Sequence, residues 1–212
     1  MDNRSSDHDI KIRTPRMGDI AGIVELVNTG KPYLSAHGPY LYWIYINFWR
    51  DTCAVAELDG EIIGWCSIIP VSGATYLCHQ LGVVPHARRL GLGKTLFLSV
   101  LDKLKARHTA FAIEFTVDRR NRAALDLDKA VAAEAGMELT KKPDTVPALE
   151  GSEEELYVMT RIWQPSEIDE ASQSPFSEVE RSTARGAATS ERWRATPEAI
   201  YTLHDHAKGA AE

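Results

Sequence analysis

Few cysteines are present, and their spacing suits neither a metal site nor a disulfide framework. Cys53, Cys66 and Cys78 are odd in number and contain no Cys-x-x-Cys spacing, which excludes a disulfide knot and points to reduced thiols in a cytoplasmic protein. Positive charge is not in excess either. The 24 Lys and Arg against 30 Asp and Glu leave a net charge of −6, so there is no electrostatic footprint for nucleic acid or an anionic membrane. No apolar run is long enough to span a bilayer: the greasiest, Tyr40 to Trp49, is about half of the roughly 20 residues required and reads as a buried helix. Met1 to Asp7 lack an apolar h-region, so a secretory leader is not expected. His204-x-His206 has no third ligand nearby, and no metal is expected. The expected partner is therefore a small molecule.

Hydrophobic residues at 44% and charged residues at 25% are globular proportions, enough for one domain with a real core. After a flexible leader at 1–8, Ile10 to Arg13 alternate as a strand, and Thr14-Pro15 supply a helix cap with proline at the first helical position. Ile20, Ile23, Val24 and Val27 form one helix face, and the helix at 40–49 follows. Cys53 to Glu57 and Ile62 to Ile69 form a hairpin about Asp59-Gly60, and Tyr76 to Val84 is a third strand. A glycine-bearing loop leads into a helix with Leu92, Leu96, Phe97, Val100, Leu101 and Leu104 on one side. Phe111, Ile113, Phe115 and Val117 alternate as a strand; Asn121 caps an alanine-rich helix ending near Gly136. Strands at 137–140 and 156–162 close the pattern, joined by a loop at 141–155 expected to reach over the site. The order βαα-βββ-αβα-ββ defines an α/β (α+β) domain at 9–163, a mixed twisted sheet of about seven strands flanked by about four helices. From Gln164 to Glu212 hydrophobes thin out, and this tail is expected to be disordered.

The stretch Leu81-Gly82-Val83 to Arg88-Arg89-Leu90-Gly91-Leu92-Gly93-Lys94 carries the chemistry. A strand running through a glycine loop into a helix N-terminus aims several backbone N–H groups and the positive helix end at one anion, with Arg88, Arg89 and Lys94 adding charge. It is a pyrophosphate cradle, but not a nucleotide P-loop, since residue 88 is arginine where the first glycine would fall, nor a Rossmann loop, since no third glycine follows.

Arg88-x-x-Gly91-x-Gly93 after a strand resembles the acyl-CoA signature of the GNAT superfamily of N-acetyltransferases. The resemblance implies a GNAT-type fold, acetyl-CoA as co-substrate with its pantetheine arm along Leu81, Gly82 and Val83, phosphates over Arg88 to Lys94, and Asn121 at the cofactor. Many members carry a tyrosine seven residues after that asparagine as general acid to the departing thiolate; here the position is Asp128, leaving the acid unassigned. Asp51 to Trp65, Gln80 to Val83 and Glu114-x-Thr116-Val117 further resemble the diaminobutyrate acetyltransferases of ectoine biosynthesis, whereas Tyr33 to Pro39 and His79 depart from that family. The implied reaction acetylates a primary amine of a small amino acid, 2,4-diaminobutyrate first. Another amino acid, a polyamine, an amine antibiotic, or a silent acyl-CoA-binding regulatory module are the alternatives. Dimerisation is an expectation from the resemblance alone.

Attack on a thioester needs a neutral amine, so the site requires a proton acceptor. Glu114, on the strand face opposite Phe111, Ile113 and Phe115, is the first candidate base, an ion pair or an ammonium anchor being its alternatives. His79 is the second, against a satisfied core histidine. Tyr40, Tyr42 and Trp43 are candidate acceptor walls and Glu155 a candidate ammonium partner, each against plain core or surface.

Overall fold

The computed structural model describes residues 9–143 and 154–162. The leader, most of the connection at 141–155, the tail and the His204/His206 pair lie outside the described residues. Strands β1 (Lys11–Arg13), β2 (Cys53–Leu58), β3 (Glu61–Ser72), β4 (Thr75–Val83), β5 (Ala110–Asp118), β6 (Glu138–Lys141) and β7 (Glu154–Ile162) form one sheet in the order β1-β2-β3-β4-β5-β7-β6. Only β4 and β5 run parallel among neighbours; every other pair is antiparallel. Helices α1 (Ile20–Asn28), α2 (Pro39–Phe48), α3 (Leu92–Lys105) and α4 (Arg122–Ala135) complete the described fold.

Adjacent residues of β3 reveal the two layers. A side chain at Gly64 would meet Leu96 of α3, while Trp65 lies fully buried under Tyr42 and Tyr45 of α2, with ring centroids 6.2 and 6.5 Å away. This is the alternation of a strand covered on both faces. The Trp65 indole donates to Gln80 Oε1 (3.3 Å), and the Gln80 amide donates to the Ser35 carbonyl (2.9 Å), so the central strands also hold the connection between α1 and α2.

The start of the first helix differs from the sequence expectation. Thr14-Pro15 stay outside it, and a 3-10 turn at Met17–Asp19 leads into α1. Asp19 decides the start: its carboxylate accepts from the Arg16 N–H (2.6 Å) and from two Arg13 nitrogens (2.7 and 2.8 Å). Arg13 also donates to Glu57 of β2 (2.6 Å), so one guanidinium fastens the edge strand to the helix entry. Burial pushes the Asp19 carboxyl up, but the bonds from Arg13 and the Arg16 N–H outweigh it and hold it below the ordinary carboxylate range. Asp19→Ala should therefore lower stability by about 1–2 kcal/mol in urea denaturation at neutral pH. Because the folded carboxyl is the stronger acid, its contribution is present above the unfolded pKa and is lost as pH falls through the folded one, so the deficit of Asp19→Ala should shrink in acid.

Candidate active site

Parallel pairing between β4 and β5 covers Thr75↔Ala112, Tyr76↔Ile113 and Leu77↔Glu114 and then stops. Beyond that point the strands splay. The gap opens into a cavity of about 880 Å³ lined by Cys78 to Val83 of β4, Phe115 to Asp118 of β5, the α3 entry and α4. On its other side β4 stays paired with β3 through Val83, so the backbone groups facing the gap are left for a ligand. A bulge sits at the mouth. Ser67 pairs with Gln80 and Ile68 with Cys78, leaving His79 as the extra residue on β4.

The far end of the gap is the expected cradle. Gly91 caps α3 at φ +76° with no side-chain cap, which leaves the first N–H groups of α3 unclaimed by a side chain at the cavity. Arg89 also has positive φ, +67°, a costly conformation for a residue with a side chain. A Cβ on Gly93 would lie 2.7 Å from Leu127 of α4, so this glycine lets α3 and α4 pack closely. Leu81, Gly82, Val83, Arg88, Arg89, Gly91, Leu92, Gly93, Lys94 and Asn121 all line the cavity. Leu90 does not; its side chain is exposed. Two of the expected cations are engaged elsewhere. Arg88 donates to the carbonyls of Val83 (3.0 Å) and Thr29 (3.4 Å), and Lys94 pairs with Glu134 (2.5 Å). Asn121 caps α4 by accepting from the Ala124 N–H (3.2 Å).

Of the two candidate bases, His79 lines the cavity and its Nδ1 shares a hydrogen bond with the Tyr45 hydroxyl (2.9 Å). Burial, with His37 nearby, pushes its pKa down to about 4, so the ring is neutral at physiological pH. Glu114 stands at the last parallel pair, half-buried, on the α2 face: its neighbour Phe115 stacks on Tyr157 toward α4, and Tyr76, beside Leu77, packs on Phe111. Glu114 itself is not among the cavity-lining residues, which begin at Phe115 on this strand.

None of the four candidate acceptor residues lines this cavity. Tyr42 is fully buried core against Trp65; its hydroxyl lies near the His37 backbone and Gln80 without standard hydrogen-bond geometry to either. Tyr40 and Trp43 stack on each other at the surface of α2 and are outside the cavity lining. Glu155 is opposite Val117, on the α4 face, and accepts from Lys141 (2.7 Å) and Tyr157 (2.8 Å). Those bonds hold its carboxyl below the ordinary range and leave it committed away from Glu114 and His79.

The residue whose place sequence reasoning missed is Asp128. It lies two helical turns beyond Asn121 on α4, so both reach the cavity. It is 6% exposed, and burial alone raises its carboxyl to about 7. The spacing was visible in the sequence; the burial was not.

The Acetyltransferase (GNAT) family profile matches residues 21–129. The chain belongs to this family. GNAT enzymes use acetyl-CoA. The chain is 32% identical over 134 residues to the L-2,4-diaminobutyric acid acetyltransferase of Nocardia farcinica, covering 62% of this chain and 68% of that one. It is 36% identical over 127 residues to the enzyme of the same name from Chromohalobacter salexigens, covering 57% and 64%. It thus spans about two thirds of the length of these relatives. The solved diaminobutyrate acetyltransferase of Paenibacillus lautus, in complex with L-2,4-diaminobutyric acid and coenzyme A, superposes with a TM-score of 0.63 at 23% identity, over 72% of this chain and 95% of that one. Among the described residues no helix is long and apolar enough to cross a membrane, and no cluster suited to a metal occurs.

Two outcomes check this site. Gly91→Val forces a branched side chain into left-handed backbone, which costs about 1–2 kcal/mol and turns the N–H groups away from the phosphates, so calorimetry should show acetyl-CoA affinity lower by roughly tenfold or more. Unchanged affinity would remove the cradle. Asp128→Asn should stabilise the protein progressively as pH rises from about 4 to about 7. The folded carboxyl is the weaker acid, so the native state binds more protons in that window and wild type loses stability across it, a loss the amide cannot suffer. Melting temperatures of the two proteins that stay parallel from pH 4 to pH 8 would contradict the burial described.

Proposed function

We propose that this chain transfers the acetyl group of acetyl-CoA to a primary amine of a small amino acid, L-2,4-diaminobutyrate first among them. The observation that carries the transfer is the β4–β5 gap ending on an uncapped helix N-terminus: a slot with backbone partners for an extended pantetheine arm and a cradle for its pyrophosphate. The acceptor is supported by the likeness to the diaminobutyrate acetyltransferases. Three free thiols suit a cytoplasmic enzyme, with residues 9–163 as its catalytic unit.

In this reading the thioester lies where the strands part, and the amine approaches from the α2 face. Glu114 accepts the proton that the ammonium must lose before attack. His79, neutral and held by Tyr45, orients the acceptor or an intervening water. Backbone groups of β4 around the bulge polarise the carbonyl and hold the oxyanion. The amine nitrogen then displaces the CoA sulfur, giving the amide and a thiol.

Glu114→Gln keeps the shape and removes proton acceptance, so kcat should fall by roughly 10²- to 10⁴-fold with acetyl-CoA affinity retained. Thiol release over a panel of diamino acids, polyamines and amine antibiotics reads both claims. Near-normal turnover at saturation with a raised acceptor KM would make Glu114 an anchor and not the base, and absence of thiol release with every amine would refute acetyl transfer.

A further inference from the structure

Two histidines distant in sequence meet on the α2 face at the mouth of the gap. The bulge turns His79 to the same face as Gln80, toward Tyr45 and Trp65. Gln80 donates to the Ser35 carbonyl (2.9 Å), which fixes the connection between α1 and α2 against β4 two residues before His37. The imidazoles of His37 and His79 consequently lie with ring centroids 5.2 Å apart, tilted by 38°. Both residues belong to the stretches in which this chain departs from the diaminobutyrate acetyltransferases, so the pair is this chain's own. Neither ring has a carboxylate partner among the described residues, and the His37 ring forms no hydrogen bond with any of them. Burial keeps both uncharged, His79 at about 4 and His37 below its ordinary value. A phenol O–H is a good donor and an imidazole nitrogen a good acceptor, so the bond from Tyr45 to Nδ1 leaves the ring proton of His79 on Nε2. Two neutral N–H donors thus stand side by side without an acceptor of the protein's own.

We propose that this histidine pair binds the carboxylate of the acceptor, so that the site selects amino acids over polyamines and other amines that carry no acid group. His79 stands two residues beyond Leu77, whose partner in the parallel pairing is Glu114, and alternation puts the two β4 side chains on one face. Two residues of strand rise about 7 Å, roughly the length of a short diamino acid from its far nitrogen to its carboxylate. An acceptor lying along β4 therefore presents an amine to Glu114 while its carboxylate takes one N–H from each ring. These bonds are charge-assisted, because the carboxylate is ionised. Uncharged donors suit the place, since they spare the half-buried site the cost of desolvating a cation of its own. A polyamine brings a second ammonium to the same point. That group has only donors to offer and meets two donors.

The inference rests on the acetyl-transfer reading, and thiol release by the wild type with any amine of the panel tests that reading separately. Binding is read without transfer by calorimetry on protein saturated with CoA, which has no acetyl group to give. Each diamino acid of the panel is paired with the amine of the same chain lacking the carboxylate, L-2,4-diaminobutyrate with diaminopropane first. The best-bound diamino acid should bind roughly tenfold or more tightly than its partner amine. His37→Phe keeps a ring and removes the donor, so it should lower that ratio by roughly tenfold, and in turnover the loss should fall on the acceptor KM more than on kcat. His37→Asn, whose amide can donate in place of the ring, should recover part of the ratio, which a merely structural role of the ring would not produce. A wild type that binds no diamino acid more tightly than its partner amine overturns the proposal without recourse to any variant. So does a His37→Phe protein that still binds CoA and keeps the wild-type ratio.

Discussion

The end of hydrogen bonding between β4 and β5 is the constraint on which the rest of the molecule depends. A parallel pair that stops after Leu77↔Glu114 leaves rows of backbone donors and acceptors facing a gap in the middle of a sheet, where exposed backbone is costly unless something pairs with it. The flanking strands cannot close that gap. β4 is committed to β3 as far as Val83, and β5 is committed to β7 along its length. The split is therefore held open from outside, and an extended ligand can pair with the backbone facing it. Both helices at the gap follow from it: α3 begins where β4 ends, and α4 begins where β5 ends, each directing its first turn at the opening.

Much of this was legible in the sequence because it is written locally. The alternation of Phe111 to Val117 set β5 and the face of Glu114, the Gly91 position requires a backbone that glycine adopts readily, and Asn121 sits where a helix must be capped. What escaped depends on partners distant in sequence. Tyr42 looked like a pocket wall because α2 is apolar all round; only the packing of Trp65 from β3 shows which side is core. Glu155 looked available until register placed it opposite Val117 with Lys141 beside it. The bulge that sets His79 out of step with β3 has no signature in His79 itself, since a bulge is a relation between two strands.

Charge in the site is arranged by exclusion of water more than by ion pairing. His79 is kept neutral by burial with His37 beside it, and Asp128 is kept protonated well above the usual carboxylate range by burial alone. Two titratable groups lining one cavity are thus shifted in opposite directions by the same desolvation, each toward its uncharged form. Neither shift is offset by an opposite charge: burial, with His37 beside His79, accounts for both. The same arrangement lowers stability, which is the usual relation between a functional site and its scaffold.

The guanidinium of Arg88 spans from the Val83 carbonyl at the end of β4 to the Thr29 carbonyl at the end of α1. If phosphate draws this side chain toward itself, both contacts are given up, and the chain leading from α1 toward α2 loses a tether. The free energy of filling the nucleotide end of the slot is then linked to the freedom of the segment on the acceptor side, and linkage of this kind runs equally in both directions. The coupling between the exit of β4 and the exit of α1 thereby rests on the hydrogen bonds of one side chain.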